Sequence, residues 1–276
     1  WLRRIGFYKA PVVVPRSIPG LVTKRLLVMD MLSGDPLSDI ARKASDVPDS
    51  KSGTFASRAK RSLAEKLLGS LSEAYGRMLF EDGFGGVHAD PHPGNILLHR
   101  KWGKLNIGLV DWGQIKRYDL SMRLRLAQIV EALCAAGDAE GRASSDDLLS
   151  AFHALGVHWN SSVAWDEQRA AVAATATEWF DTAPLPKPYT IDPTSPNYPI
   201  LSLGEIDMTA FPTDLLYLFR TTQYLRAMGD KLGIEWSLAS HWRPHARRLL
   251  KQHSKMGRGK VGGLLRDFDE SFRVHQ

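Results

Sequence analysis

Near the start of the chain, apolar residues fall in short runs that are typical of strands. The β-branched run at 12–18 predicts one strand, and Pro15 places it at a sheet edge or a strand end. The pair Pro19-Gly20 predicts the turn that follows. The run at 25–32 is apolar on both faces and predicts a second, buried strand. Together the two runs predict a hairpin that ends at Ser33-Gly34.

Further along the chain, the spacing of apolar residues becomes helical. The segment 56–82 predicts one long helix. Apolar runs at 96–98 and 105–110 predict a second hairpin. Beyond residue 113 the same helical spacing predicts six helices, at 123–136, 146–155, 165–180, 213–232, 238–253 and 261–272. The proline-rich stretch 181–205 predicts a long loop or linker.

The composition is ordinary for a globular protein. Of the 276 residues, 43% are hydrophobic, and a single cysteine, Cys134, allows no internal disulfide. No apolar run reaches the roughly 18 residues that a membrane-spanning helix needs. The chain begins at Trp1 without a signal-peptide pattern, so we expect a fragment, or a protein trimmed at its start.

The chain is basic, with a net charge of +6 and a pI of about 9.4. Its Lys and Arg residues are dispersed, which is typical of solvated helix faces but also allows contact with an anionic membrane surface. A nucleic-acid partner is not expected, because no aromatic interleaving or known binding motif accompanies the basic clusters. His241, His245 and His253 lie at helical spacings among arginines, which predicts a solvated face.

Two short motifs carry the candidate chemistry. Residues 88–95 read His-Ala-Asp-Pro-His-Pro-Gly-Asn, and residues 109–113 read Leu-Val-Asp-Trp-Gly. The pattern H-x-D-x-x-x-x-N followed by a strand and D-x-G is how the protein-kinase-like fold builds its phosphoryl-transfer site. In that fold one Asp handles the proton of the acceptor hydroxyl. The Asn and the second Asp hold Mg²⁺, because a hard cation needs oxygen ligands.

The same residues also allow a zinc site to be considered. His88, Asp90 and His92 would share a face if they lay on an extended strand. The prolines at 91 and 93 interrupt a strand ladder, however, and zinc would leave Asn95 and Asp111 without a role. Zinc is therefore disfavoured.

Around these motifs the chain resembles the UbiB (aarF-domain) atypical kinases, which are linked to coenzyme Q and other isoprenoid-lipid metabolism. The run at 88–97 carries most of the resemblance. Supporting segments are Val-Pro at 14–15, Leu-Val-Met-Asp at 27–30, and Phe-Pro-Thr-Asp-Leu-Leu at 211–216 leading to Arg220. The resemblance covers roughly residues 12–135 and, more loosely, 208–233.

The resemblance implies an α+β, protein-kinase-like fold that is mainly the helical C-terminal lobe. Residues 1–34 would be a remnant of the N-terminal lobe, with its last strands and hinge. Residues 35–276 would form the C-terminal lobe with extra C-terminal helices. It also implies a mitochondrial or plastid location.

By the same resemblance, the site residues take specific roles. Asp90 is the catalytic-loop Asp, and Asn95 and Asp111 are ligands of Mg²⁺ or Mn²⁺. His92 either acts toward the γ-phosphate of ATP or caps the loop. His88 packs beneath the D-x-G turn. The adenine pocket would be formed by Met29 as its guard, Asp30, Met31 and Leu32 as the hinge, and Leu97 as its floor.

Three departures from the family pattern stand out. Trp112 replaces the usual Phe, and Asp30 replaces the more usual Glu. The phosphate-covering loop, its strand Lys and the inhibitory Lys-x-Gly-Gln segment would all precede residue 1.

Three functions stay open at this point. The first is an ATP-dependent phosphotransferase or ATPase that supports isoprenoid-quinone or related lipid metabolism, with an unknown protein acceptor. The second is a catalytically weak, nucleotide-dependent regulatory module. The third is a small-molecule kinase of the aminoglycoside or choline type, because those enzymes also carry H-x-D-x-x-x-x-N.

Overall fold

The protein is an α+β structure in which helices supply most of the core. A computed structural model describes residues 12–45, 55–101, 104–137, 145–181 and 208–254. The α-helices in these ranges are α1 (Leu37–Ser45), α2 (Phe55–Phe80), α3 (Leu120–Gly137), α4 (Ser145–Ala154), α5 (Trp165–Phe180), α6 (Thr213–Lys231) and α7 (Leu238–Ser254). The strands are β1 (Val12–Val13), β2 (Ser17–Val22), β3 (Leu27–Met29), β4 (Asp35–Pro36), β5 (Gly86–His88), β6 (Ile96–Lys101), β7 (Lys104–Leu109), β8 (Ile115–Arg117), β9 (His158–Trp159) and β10 (Met208–Ala210).

The helices follow the apolar periodicity of the sequence. The long helix predicted at 56–82 and five of the six later helices are confirmed within a few residues of their predicted ends. The sixth, at 261–272, lies outside the described residues, as does the proline-rich stretch from 182 to 205. Helix α2 buries one face and crosses α7, where the Trp242 indole N–H donates to the Ser72 carbonyl at 2.9 Å. Gly76 permits this crossing, since a Cβ there would lie 2.8 Å from Trp242.

The second predicted hairpin, β6–β7, is confirmed and lies at the centre of the largest sheet. Its register places Ile96 opposite Leu109, and both side chains are buried. The short strand β4 pairs with β6, and β1 pairs with β7 in parallel, giving the order β1-β7-β6-β4. The strand β7 ends two residues before Asp111, so this sheet determines the position of the Asp-Trp-Gly motif at 111–113.

The first hairpin exists between β2 and β3, but three details of its prediction are wrong. The run at 12–18 is not one strand, because Val12–Val13 pairs with β7 whereas Ser17 begins the strand that pairs with β3. The strand β2 runs through Pro19-Gly20, and the chain turns later, where the Thr23 N–H donates to the Leu26 carbonyl at 2.8 Å. Gly20 has a φ of +82°, and the pairing of β2 with β3 shifts register between Ser17 and Val22. The Pro-Gly pair therefore forms an irregularity within β2 and does not end the strand.

The predicted burial of the run at 25–32 is also wrong. Leu26, Leu27 and Met29 are all exposed, and Met31 is 93% exposed. An apolar run records a tendency toward burial, but it does not specify which element supplies the cover. No described element covers this side of β3.

The predicted solvated face of α7 is wrong at His245. The side chain is buried, with Nε2 lying 2.9 Å from Glu73 and Nδ1 lying 3.5 Å from Glu81, both on α2. Helical spacing among arginines does not reveal that α7 packs against both α2 and α3. The hydrogen bond from His245 lowers the pKa of Glu73, and the positive charges of His245, Arg77 and Arg248 act in the same direction against the opposing effect of burial.

This lowered pKa predicts an acid-sensitive contact between α2 and α7. A carboxylate with a lowered folded-state pKa stabilises the fold above its unfolded value of 4.5, and the benefit is lost as the pH falls below that value. We expect Glu73→Gln to lower the free energy of unfolding at pH 7 by less than about 1 kcal/mol, because Glu73 is half exposed. Urea unfolding of both proteins between pH 7 and pH 3 should show this difference disappear on acidification.

The control is Glu65→Gln, which removes an exposed carboxylate paired with Arg61 on the same helix. It should change the unfolding free energy by no more than about 0.5 kcal/mol. A Glu73→Gln difference that grows toward low pH would contradict the assignment.

Candidate functional site

The Asp90 loop is held in shape by its own backbone and by His92. Residues 93–95 form a single 3₁₀ turn that begins after His92, whose Nδ1 accepts a hydrogen bond from the Gly94 N–H at 3.0 Å. The Asn95 N–H donates to the His92 carbonyl at 2.8 Å. Proline fixes the backbone on both sides of His92, so the local sequence is enough to build this loop.

His88 joins the Asp90 loop to the strand that leads to Asp111. Its ring is 1% exposed, and its Nδ1 accepts from the Asp90 N–H at 3.3 Å. Because Nδ1 accepts a hydrogen bond, the imidazole N–H is assigned to Nε2. This N–H donates to the Val110 carbonyl at 2.9 Å. Trp112 packs its ring edge-on against His88 at 4.8 Å between centroids. One buried ring therefore sets the spacing between the two motifs.

Asn95 makes a second connection between the same two segments. Its backbone carbonyl accepts from the Val110 N–H at 3.0 Å, and its side-chain NH₂ donates to the Asp90 carbonyl at 3.0 Å. The side chain is 7% exposed. With its NH₂ committed in this way, the Asn95 side-chain oxygen is oriented as the atom that could bind a cation.

Asp111 has an unusual backbone conformation. Its φ is +56°, and among the described residues it is the one non-glycine with a positive φ. For a residue with a Cβ this conformation costs about 1–2 kcal/mol, and such strain is concentrated at functional sites. Asp111 is exposed, and within the described residues its carboxylate accepts one hydrogen bond, from the Gly113 N–H at 3.4 Å. Its carboxylate is therefore accessible to a ligand.

Arg220 is a site residue whose contact the sequence did not predict. Its guanidinium lies 2.7 Å from Asp90 Oδ1, across 130 positions of the chain. His92 Nε2 lies 3.9 Å from the other carboxylate oxygen of Asp90. The sequence signal was an Arg on a helix, preceded by the apolar residues Leu218 and Phe219, within a segment already noted for its resemblance. Helical spacing could not reveal what this Arg contacts.

The hydroxyl of Tyr75 interacts with the negative charge of Asp90. The ring is fully buried on α2, and burial followed by the charge of Asp90 raises the pKa of its hydroxyl well above the ordinary value. That hydroxyl has no hydrogen-bond partner among the described residues. Tyr75 thus lies in a desolvated environment close enough to Asp90 to interact with its charge.

The residues predicted to form the adenine pocket are only partly brought together. Leu32 and Leu97 both approach Gly108 on β7, where a Cβ would lie 3.1 Å from Leu32 and 3.3 Å from Leu97. Asp30 pairs with Arg16 at 3.5 Å across the first hairpin. Met29 and Met31 are exposed on that hairpin.

The donor set fits a hard divalent cation. Asn95 and Asp111 provide an amide oxygen and a carboxylate, and Mg²⁺ is commonly held by one or two protein ligands together with water and phosphate oxygens. Among the described residues, no group of three or more His, Cys, Asp and Glu side chains is arranged to hold a metal. No helix in the described part of the chain is both long and apolar enough to cross a bilayer.

The chain is similar to proteins of one known family. The profile of the ABC1 atypical kinase-like domain matches residues 6–144. The chain is 26% identical over 285 residues to the AarF domain-containing protein kinase 1 of Mus musculus, which covers 100% of this chain and 48% of the relative.

Two further relatives match over shorter stretches. The Xenopus laevis protein of the same name is 27% identical over 236 residues, covering 83% of this chain and 39% of its own length. The probable serine/threonine-protein kinase abkB of Dictyostelium discoideum is 30% identical over 128 residues, which is 46% of this chain and 17% of that protein. The chain thus spans about half or less of the length of these relatives.

Proposed function

The chain belongs to the ABC1 atypical kinase-like family, and from that premise we propose that it carries the Mg²⁺- and acceptor-binding part of an ATP-dependent phosphotransferase or ATPase. Family membership gives it the protein-kinase-like fold. The observation that carries the proposal is the His88 bridge, which fixes the Asp90 loop against Val110, the residue between β7 and Asp111. Phosphoryl transfer depends mostly on positioning and charge neutralisation, and this bridge positions the charged groups.

In this proposal each polar residue has one task. Asp90 accepts the proton of the attacking hydroxyl or water. Asn95 and Asp111 bind Mg²⁺ or Mn²⁺, which neutralises charge on the phosphates when it is bound. His92 caps the loop with Nδ1, which leaves Nε2 directed to the side of Asp90, where it can contact the transferred phosphoryl group.

The nucleotide base would lie over the β6–β7 hairpin. Leu32 and Leu97 meet at Gly108 and supply an apolar surface two residues beyond Asn95. Met29, Asp30 and Met31 complete the pocket in the proposal as its guard and hinge. The exposure of Met29 and Met31 is compatible with a role in contacting a ligand.

The biological setting follows from the family resemblance. We propose a role in isoprenoid-quinone or related lipid metabolism, in a mitochondrion or plastid. The names of the relatives describe protein kinases, so a protein acceptor is one option for the reaction. The family match favours a role in isoprenoid-quinone or related lipid metabolism over a small-molecule kinase of the aminoglycoside or choline type.

The metal assignment is tested with Asp111→Asn in the complete protein. Since losing even an outer contact of a metal site typically costs about 10–100-fold in metal affinity, removing a carboxylate ligand should weaken Mg²⁺-dependent ATP binding by at least that factor. Calorimetric titration of ATP with and without Mg²⁺ measures it, and far-ultraviolet circular dichroism checks the fold. Asp119→Asn, which removes another carboxylate from the same segment, is the control. Equal Mg²⁺-dependent affinity in Asp111→Asn and the parent would refute the proposed site.

Nucleotide binding without any turnover in the parent protein would instead favour the regulatory module.

A further inference from the structure

A cleft lies beside the Asp90 loop and the segment that follows Asp111. It has a volume of about 460 Å³ and is lined by Ala89, residues 113–116, Tyr217 and Arg220. Neither Asn95 nor Asp111 lines it. Its size is within the range of small-molecule sites, which is about 300–1,000 Å³. The cleft therefore adjoins the proposed metal ligand Asp111 through Gly113, whose N–H lies 3.4 Å from the Asp111 carboxylate, and it adjoins Asp90 through Ala89 and Arg220.

The walls of the cleft combine positive charge with apolar surface. Lys116 and Arg220 are its two charged lining residues, and both are cations. Lys116 lies over the Tyr217 ring at 5.8 Å and pairs with Asp214 at 2.5 Å. Ile115 and Tyr217 are both nearly half exposed. Each cation is paired with a carboxylate, Lys116 with Asp214 and Arg220 with Asp90, so the lining suits a compact ligand whose anionic group can displace these carboxylates.

Arg220 connects this cleft to the reacting side of the site. The same guanidinium that lines the cleft holds Asp90 Oδ1 at 2.7 Å. An anion entering the cleft competes with Asp90 for Arg220, since both are oxygen acceptors for a guanidinium. The exchange would turn one carboxylate oxygen of Asp90 from Arg220 toward the incoming molecule.

We propose that this cleft is the phosphoryl-acceptor site and that its acceptor carries both a hydroxyl and a phosphate group. The phosphate group binds between Lys116 and Arg220, and by engaging Arg220 it releases Asp90 to receive the hydroxyl proton. The acceptor oxygen forms the new bond to the γ-phosphorus of ATP. The bond from that phosphorus to the β–γ bridging oxygen breaks, and ADP leaves with the electron pair. This inference rests on the proposed phosphotransferase function.

The test compares glycerol 3-phosphate with glycerol, which has the hydroxyls without the phosphate. Amide chemical shifts of the complete protein report binding residue by residue. We expect glycerol 3-phosphate, but not glycerol, to shift the amides of residues 113–116. Lys116→Gln and Arg220→Gln should each weaken this binding by about tenfold, as expected for losing a charge-assisted contact. Lys66→Gln, on an exposed part of α2, should leave it unchanged.

A second arm identifies the source of the phosphate. Phosphatidylglycerol in phosphatidylcholine vesicles presents the same chemistry as a lipid headgroup, and phosphatidylcholine vesicles alone are its blank. Binding of glycerol 3-phosphate alone assigns a soluble acceptor, and binding only to phosphatidylglycerol vesicles assigns a lipid. Binding of neither, or equal loss in Lys66→Gln and Lys116→Gln, overturns the inference.

The two proposals can fail separately. If Asp111→Asn loses Mg²⁺–ATP but retains glycerol 3-phosphate, the two sites are distinct, as proposed. If the parent protein binds Mg²⁺–ATP but glycerol 3-phosphate shifts only residues 90–95, the phosphate occupies the nucleotide site and the cleft assignment is wrong. Failure to bind Mg²⁺–ATP refutes the proposed function regardless of the cleft.

Discussion

Asp90→Asn in the complete protein is expected to lower ATP turnover by about 10²–10⁴-fold, the usual contribution of a general base, while most of the ATP binding is retained. The substitution keeps the size of the side chain and removes its ability to accept a proton. It also breaks the 2.7 Å ion pair with Arg220, whose side chain is 26% exposed and can turn to solvent. Initial rates of ATP hydrolysis, together with ATP affinity by calorimetry, separate the two effects.

Asp39→Asn is the matched control for Asp90→Asn. It makes the same chemical change at an exposed carboxylate that pairs with Arg42 on α1. We expect its turnover to equal that of the parent protein. Turnover in Asp90→Asn within about threefold of the parent would exclude Asp90 as the base, since a general base contributes about a hundredfold or more.

Arg123→Met is expected to lower the free energy of unfolding by about 3–5 kcal/mol, the usual cost of removing one partner from a buried charged network. Arg123 is 6% exposed, and its guanidinium donates to the carbonyls of Leu79, Phe80 and Glu81 at 2.8–3.0 Å. Leu79 and Phe80 are in the last turn of α2, where carbonyls have no partner within the helix, and Glu81 directly follows it. Burial lowers the pKa of Arg123, with Asp82 acting in the opposite direction. Met fills much of the same volume but donates nothing.

Urea unfolding with Arg125→Met as the control checks this effect. Arg125 is on the same helix, two residues away, and its hydrogen bond to Gln128 is exposed. Its replacement should change the stability by no more than about 0.5 kcal/mol. Equal stabilities for the two variants would mean that the end of α2 is held by something other than Arg123.

The sequence predicted most of the helices and the local shape of the Asp90 loop, since both depend on short-range patterns. The loop is built from prolines and from a histidine that caps its own turn, so its conformation can be inferred from consecutive residues. The chemical roles of Asp90, Asn95 and Asp111 stay predictions, because the geometry is compatible with them but does not test them.

What the sequence could not predict depends on contacts between distant segments. Arg220 reaches Asp90 across 130 positions, and Arg123 reaches the Leu79 carbonyl across 44. Neither pairing has a spacing signature, because an arginine on a helix looks the same whether it faces solvent or a buried acceptor. The exposure of Met31 was not predicted either, because an apolar run does not specify whether another element packs against it.

The arrangement of the largest sheet bears on how the protein avoids self-association. The hairpin β6–β7 has strands of six residues, and in the described part of the chain each outer edge is covered by a strand of two residues, β4 on one side and β1 on the other. An open edge of that length is a template for pairing with another chain, and short covering strands are one way that natural sheets block it. The pair Val12-Val13 thus covers part of the outer edge of β7, the strand that leads to Asp111. Loss of those two residues would expose the described backbone edge of β7 at Ile107 and Gly108 to intermolecular pairing.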